Sequence, residues 1–276
     1  MYKIKEKITL LIFPFLISCA TNNSTVNSNP ANANIIYNST NQGLSINTRD
    51  RNVKLFILCN PHNPVGRVWT WNELAAMNEI CGRRGVIVVS DEIHCDFVWP
   101  GHAHTCFGLL NENAVIATAP SKTFNLAGLQ VSNIFARNTE LRDKLKAEIN
   151  RSGYSQLNTL GLIACQSAYA KGGAWLAALK SYLEENIRFT RAFLKKRLPK
   201  IRLVEPEGTY LLWLDFSAYG LTQDELDHRV TEKAKLWLDG GTMFGPEGEG
   251  FQRVNIACPK TTLTEALDRL ETAFIS

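Results

Sequence analysis

Three short apolar runs, each closed by a polar cluster, constrain this chain more than any other feature. They are Val53 to Cys59, Val86 to Val89 and Ala114 to Thr118. Each is too short for an ordinary helix and apolar on successive residues, the pattern of a strand buried on both faces. The first ends at Asn60-Pro61, a turn signal. Beyond it, Thr70 to Arg84 has helical spacing, with Leu74, Met77 and Ile80 on one side and Gly85 as its stop. Val131 to Ala136 reads as a fourth strand. Apolar strands separated by helices predict an α/β fold in which a mostly parallel sheet is covered by helices.

Helical patterns then dominate from about Glu140 to Leu198, with breaks near Gly153 and Gly172-Gly173. After Pro199 the pattern is mixed. Ile201 to Val204, Tyr210 to Leu214 and Arg253 to Ile256 read as strands, and Gln223 to Lys235 and Thr262 to Ile275 as helices. That mixture predicts a smaller C-terminal α+β domain. The net charge of +4 is too small and too mixed to argue for a nucleic-acid partner. The basic run Arg191 to Arg202 fits the solvated face of a helix, with Phe193, Leu194 and Leu198 on its other side. Of the seven cysteines, which form no CxxC pair, most read as small buried hydrophobes and fit a reducing compartment.

The N-terminus points the other way. Lys3, Lys5 and Lys7 precede an apolar stretch from Ile8 to Ile17, as in a secretory leader. Leu16-Ile17-Ser18-Cys19 resembles the lipobox of bacterial lipoproteins, which implies lipidation of Cys19 and membrane attachment. Residues 20–51 are rich in Asn, Ser and Thr and predict a disordered linker. The cysteines suggest a cytoplasmic protein, whereas the leader suggests the cell envelope.

In an open parallel sheet, ligands bind beyond the carboxyl ends of the strands. Three polar clusters fall there: Asn60-Pro61-His62-Asn63-Pro64-Val65-Gly66, Ser90-Asp91-Glu92-Ile93-His94 and Pro120-Ser121-Lys122-Thr123. Alone, Lys122 reads as a solvated surface lysine and Asp91 as a turn residue. Converging on one edge, they suit a pyridine-aldehyde cofactor. A lysine amine can form a Schiff base with the aldehyde, and a carboxylate can keep the ring nitrogen protonated. His94, Cys95, His102, His104 and Cys106 match no standard zinc spacing, so no metal is expected.

Five stretches, in order, carry a resemblance: LCNPHNPVGRVW (58–69), VSDEIHCDFV (89–98), APSKTFNLAGLQVSN (119–133), PEGTYLLWLD (206–215) and FGPEGEGFQRVNIACP (244–259). Together they resemble the class I/II pyridoxal-phosphate (PLP) aminotransferase superfamily of fold type I. More narrowly they resemble its cystathionine β-lyase, or cysteine-S-conjugate β-lyase, branch. The resemblance implies that Lys122 bonds the cofactor aldehyde and later moves the substrate Cα proton. It places Asp91 at the pyridinium nitrogen, Asn63 at the phenolic oxygen, Ser121 near the phosphate and Arg253 on the substrate α-carboxylate. His94 stands where most aminotransferases of the superfamily carry a tyrosine, and histidine there is typical of the lyase branch. Two departures from the wider superfamily are Gln130 in place of a phosphate-binding arginine and Ala119 in place of a serine. The first also suits the lyase branch.

The implied activity is PLP-dependent carbon–sulfur β-lysis (EC 4.4.1-type) of a small sulfur amino acid, giving thiol, pyruvate and ammonia. A PLP-dependent aminotransferase is the alternative, and a non-catalytic fragment or exported pseudoenzyme a second one. Family members form homodimers and carry a long segment ahead of the Asn-Pro-His-Asn-Pro strand. That segment holds a phosphate loop and a residue that stacks on the ring. Residues 1–51 are too short and polar to supply it. The expected layout is therefore a leader (1–19), a linker (20–51), a PLP-binding large domain incomplete at its N-terminal part (52–173), and a long connecting helix with the small domain (174–276).

Overall fold

The computed structural model describes residues 53–154 and 156–275, preceded by three short strands, β1 (Leu11–Phe13), β2 (Ile35–Ile36) and β3 (Ser45–Ile46). Apart from these strands, the expected leader with Cys19 and the linker lie outside the described residues. No helix among the described residues is long and apolar enough to cross a membrane.

The first sheet contains β4 (Leu55–Cys59), β5 (Ile87–Asp91), β6 (Val115–Thr118) and β7 (Ser132–Ala136), in the order β1-β7-β6-β5-β4. β4, β5 and β6 run parallel as expected, β4 and β5 joined through a helix and β5 and β6 through a long connection that holds only a 3-10 turn at Phe107–Leu109. β7 is antiparallel to β6. The connection from β6 to β7 holds the single turn α2 (Pro120–Thr123) and a 3-10 turn at Ala127–Leu129.

Helix α1 (Trp71–Arg83) forms where the spacing predicts it. Thr70 caps it: its hydroxyl accepts from Glu73 N–H, while the Glu73 carboxylate reaches back to Thr70 N–H, satisfying donors that the first turn leaves free. Gly85, at φ 63°, ends it. Leu74, Met77 and Cys81 on its inner side pack with Phe56, Leu58, Val88 and Ile116 of the sheet. On the other face Leu55 and Ile57 are exposed, so β4 is buried on one side only among the described residues.

Helices α3 (Thr139–Arg151), α4 (Thr159–Lys171) and α5 (Gly173–Arg197) follow, with breaks at the glycines expected to make them. The second sheet is antiparallel throughout, in the order β10-β11-β9-β8, from β8 (Arg202–Val204), β9 (Leu211–Asp215), β10 (Asp239–Gly240) and β11 (Phe251–Asn255). Helix α6 (Gln223–His228) runs on into a π-helical turn, and α7 (Lys260–Ile275) closes the chain. Leu183, Ile187 and Leu194 of α5 meet Leu212, Leu214 and Ile256 from the sheet region and Leu263, Leu267 and Leu270 of α7 in one apolar cluster. Asn186 pins α5 to the chain after β11 by donating to the carbonyls of Ile256 (3.0 Å) and Cys258 (3.1 Å).

Candidate active site

The carboxyl ends of the three parallel strands set the site. Asp91 is the last residue of β5, level with Cys59 of β4 and Ala117 of β6. The strands are tied just past this point, where Asn60 N–H donates to the Asp91 carbonyl (2.9 Å) and Glu92 N–H to that of Ala117 (2.8 Å). Lys122 sits in α2, which Pro120 starts at a helix position that needs no N–H donor. Its neighbour Thr123 is buried and donates from Oγ1 to Asp96 Oδ2 (2.6 Å). That bond locks the lysine's turn to the loop after β5.

Lys122 lies within electrostatic reach of both Asp91 and His94. Burial raises the Asp91 carboxyl above its ordinary range, opposed by the Ile93 N–H on Oδ1 and by the Lys122 ammonium, while Glu92 pushes it further up. His94 is 3% exposed. Burial, then Lys122 and Arg253, lower its pKa to about 4, so its imidazole is neutral at pH 7. His94 Nδ1 is buried with no hydrogen-bond partner among the described residues. The ring stands edge-on to Tyr210, with centroids 5.7 Å apart.

A second group comes from the C-terminal sheet. Arg253, on β11, donates from Nη1 to Asn63 Oδ1 (2.8 Å) and from Nε and Nη2 to Asp239 Oδ2 (3.0 and 2.5 Å). Its guanidinium lies 4.7 Å from the centre of the Phe244 ring. A cleft of about 230 Å³ adjoins this group, lined by His62, Asn63, Val65, Trp213, Phe244 and Phe251 among others.

The two sheets meet at Glu207-Gly208-Thr209. Glu207 and Gly208 N–H both donate to the Gly66 carbonyl (2.9 and 2.8 Å), and Thr209 N–H donates to that of Phe97 (2.8 Å). A Cβ on Gly208 would lie 2.7 Å from the Phe97 carbonyl oxygen, so only glycine fits between the loop after β4 and the loop after β5. This junction brings Arg253 to Asn63.

Of the residues singled out from the sequence, Lys122, Asp91, His94, Asn63 and Arg253 therefore share one neighbourhood. Ser121 is half-buried beside Lys122. Sequence reasoning passed over Asp239, Phe244, Tyr210 and the Asp96–Thr123 pair. Phe244 lay inside a recognised motif and could have been found there. Asp239 gave no such signal.

Solved structures share this architecture. The PLP-containing cystalysin of Treponema denticola matches with a TM-score of 0.79 at 36% identity, over 82% of this chain and 58% of its own. The PLP-bound C-S lyase of Staphylococcus hominis, in complex with L-cycloserine, matches with a TM-score of 0.75 at 36% identity, over 80% and 55%. Cystathionine beta-lyase PatB of Bacillus subtilis (strain 168) is 46% identical over 236 residues, 84% of this chain and 61% of that protein. The fold is thus that of the α/β enzymes to which these proteins belong. The Aminotransferase class I and II model matches residues 24–270, and the chain belongs to that family. It spans about three-fifths of the length of the curated relatives it matches.

Proposed function

We propose that this chain is a PLP-dependent carbon–sulfur β-lyase that acts on cystathionine or another cysteine S-conjugate and releases a thiol, pyruvate and ammonia. The observation that carries the reading is the convergence of Lys122, Asp91 and His94 at the carboxyl edge of the parallel strands, with Arg253 joined to Asn63 beside them. The names of the relatives at 36% and 46% identity support it.

The residues fit the cofactor. Asp91 offers a half-buried carboxylate whose Oδ1 accepts from Ile93 N–H, and His94 Nδ1 is a buried polar atom with no partner among the described residues. PLP, when bound, supplies an aldehyde for the substrate amine and a ring that accepts electrons from Cα. Asp91 would hold the proton on the ring nitrogen, and Asn63, whose Oδ1 is fixed by Arg253, would offer Nδ2 to the phenolic oxygen. Ser121 would serve the phosphate. Arg253 orients the substrate by its α-carboxylate, and Lys122 takes the Cα proton. The neutral His94 adds no positive charge beside Lys122. Self-association into a homodimer is part of the proposal, supported by the exposed apolar residues Leu160 and Ile163 on α4.

The test is absorbance and turnover of the purified chain with added PLP, beside Lys122→Ala. The expected result is a visible band that borohydride fixes to Lys122, with pyruvate and thiol released without any added 2-oxo acid as amino-group acceptor. Turnover that requires a 2-oxo acid would make the chain an aminotransferase. Failure of the wild type to retain the cofactor would overturn the reading.

A further inference from the structure

A guanidinium has five N–H donors, arranged as a side edge (Nε and Nη2) and the two terminal nitrogens. In Arg253 three are committed among the described residues. Asp239 Oδ2 takes Nε–H and one Nη2–H, and Asn63 Oδ1 takes one Nη1–H. One N–H remains on each terminal nitrogen. The Phe244 ring covers one face of the group.

Asp239 is held there by construction. β10 is only two residues long, and its register sets Asp239 opposite Arg253 and Gly240 opposite Gln252. Asp227 Oδ1 accepts from Gln252 Nε2 (2.5 Å) and Gln223 Nε2 (2.6 Å), while Gln223 Oε1 accepts from Gly250 N–H (3.0 Å). A Cβ on Gly240 would meet the Asp227 carboxylate at 2.8 Å, so the ribbon lies directly on this network. The network fixes the strand, and the strand fixes the carboxylate.

We infer that Asp239 is a positioning residue: it occupies the side edge of Arg253, so that a substrate carboxylate is accepted at the terminal nitrogens alone, in a single orientation. The inference rests on the proposed role of Arg253 in binding the substrate. Asp239 also offsets the charge of Arg253, so it trades affinity for orientation. Opening the side edge gives a carboxylate two ways to dock and a stronger positive charge to dock on. Only one of those ways presents Cα to Lys122.

The experiment compares the full-length wild type, Asp239→Ala and Asp239→Asn. Propionate is titrated by NMR with and without PLP, and cystathionine turnover and thermal midpoint are measured alongside. Asp239→Ala is expected to bind propionate severalfold more tightly than wild type. Its kcat should fall at least about tenfold, the scale of one misdirected charge-assisted hydrogen bond, without a rise in KM. Asp239→Asn keeps a side-edge acceptor without the charge, and is expected to recover most of the kcat. A merely structural role would lower the thermal midpoint and raise KM in both variants. The inference is overturned by unchanged or weaker propionate binding in Asp239→Ala, or by an Asn variant no faster than Ala. If the wild type releases no thiol while Asp239→Ala still binds propionate more tightly than wild type, the lyase reading fails and the role of Asp239 stands.

Discussion

Acidification should expose the cost of burying His94. The imidazole is 3% exposed and lies in the field of Lys122 and Arg253, which together with burial take its pKa from 6.5 to about 4. The unfolded chain binds a proton at this residue as pH falls through 6.5, while the folded chain does not. Stability is therefore unaffected by His94 above that value and declines with pH between 6.5 and 4, at about 1.4 kcal/mol per pH unit. Below 4 both states are protonated and the loss levels off. The fall from 6.5 to about 4 corresponds to a total of about 3 kcal/mol, a large part of the stability of an ordinary domain.

His62, also lowered to about 4, and the other titrating groups contribute to the same curve, so the effect must be isolated by difference. His94→Phe removes the titrating group and keeps an aromatic ring against Tyr210. Urea unfolding of both proteins from pH 7 to 4, without added cofactor, gives the two stability curves. The wild type should lose about 3 kcal/mol more than the variant across that range. Parallel curves, or a wild type that gains on the variant as pH falls, would refute the placement of a neutral, buried imidazole beside two cations.

Two further perturbations test the framework of the site. Asn186→Ala leaves the carbonyls of Ile256 and Cys258 without their donor in a position 1% exposed. It should cost about 3 kcal/mol, read as a lower urea midpoint at unchanged slope. Gly208→Ala places a methyl 2.7 Å from the Phe97 carbonyl oxygen and 2.9 Å from Val68 Cγ2. It should cost about 2 kcal/mol by overpacking and part the loops that carry Asn63 and His94. The loss of the PLP absorbance band should then exceed what the drop in thermal midpoint explains.

What the sequence shows clearly is what depends on near neighbours. The apolar runs of β4, β5 and β6 announce themselves, and α1 carries its start at Thr70 and its stop at Gly85 within a short stretch of chain. The direction of β7 is less legible, because an apolar strand looks the same either way up. It shows only in the pairing, where β7 returns antiparallel to β6. β10 is invisible, since two residues have no period. It exists because β11 pairs with it and Gly240 rests on the Asp227 carboxylate.

The same division runs through the site. Lys122, Asp91, Asn63 and His94 follow strands whose ends can be read from the sequence, so their residue types stand out. Their states cannot be read that way. The neutrality of His94 comes from burial and from two cations, one of them on the distant strand β11. Arg253 meets Asn63 across 190 positions of chain, through a junction that depends on the absence of a side chain at Gly208. An aspartate in a loop is ordinarily solvated, and nothing around Asp239 in the sequence marks it as different. The register of a two-residue strand places it on the arginine. A motif can thus name the group that would grip a substrate, while the orientation of that grip is set by residues that no motif contains.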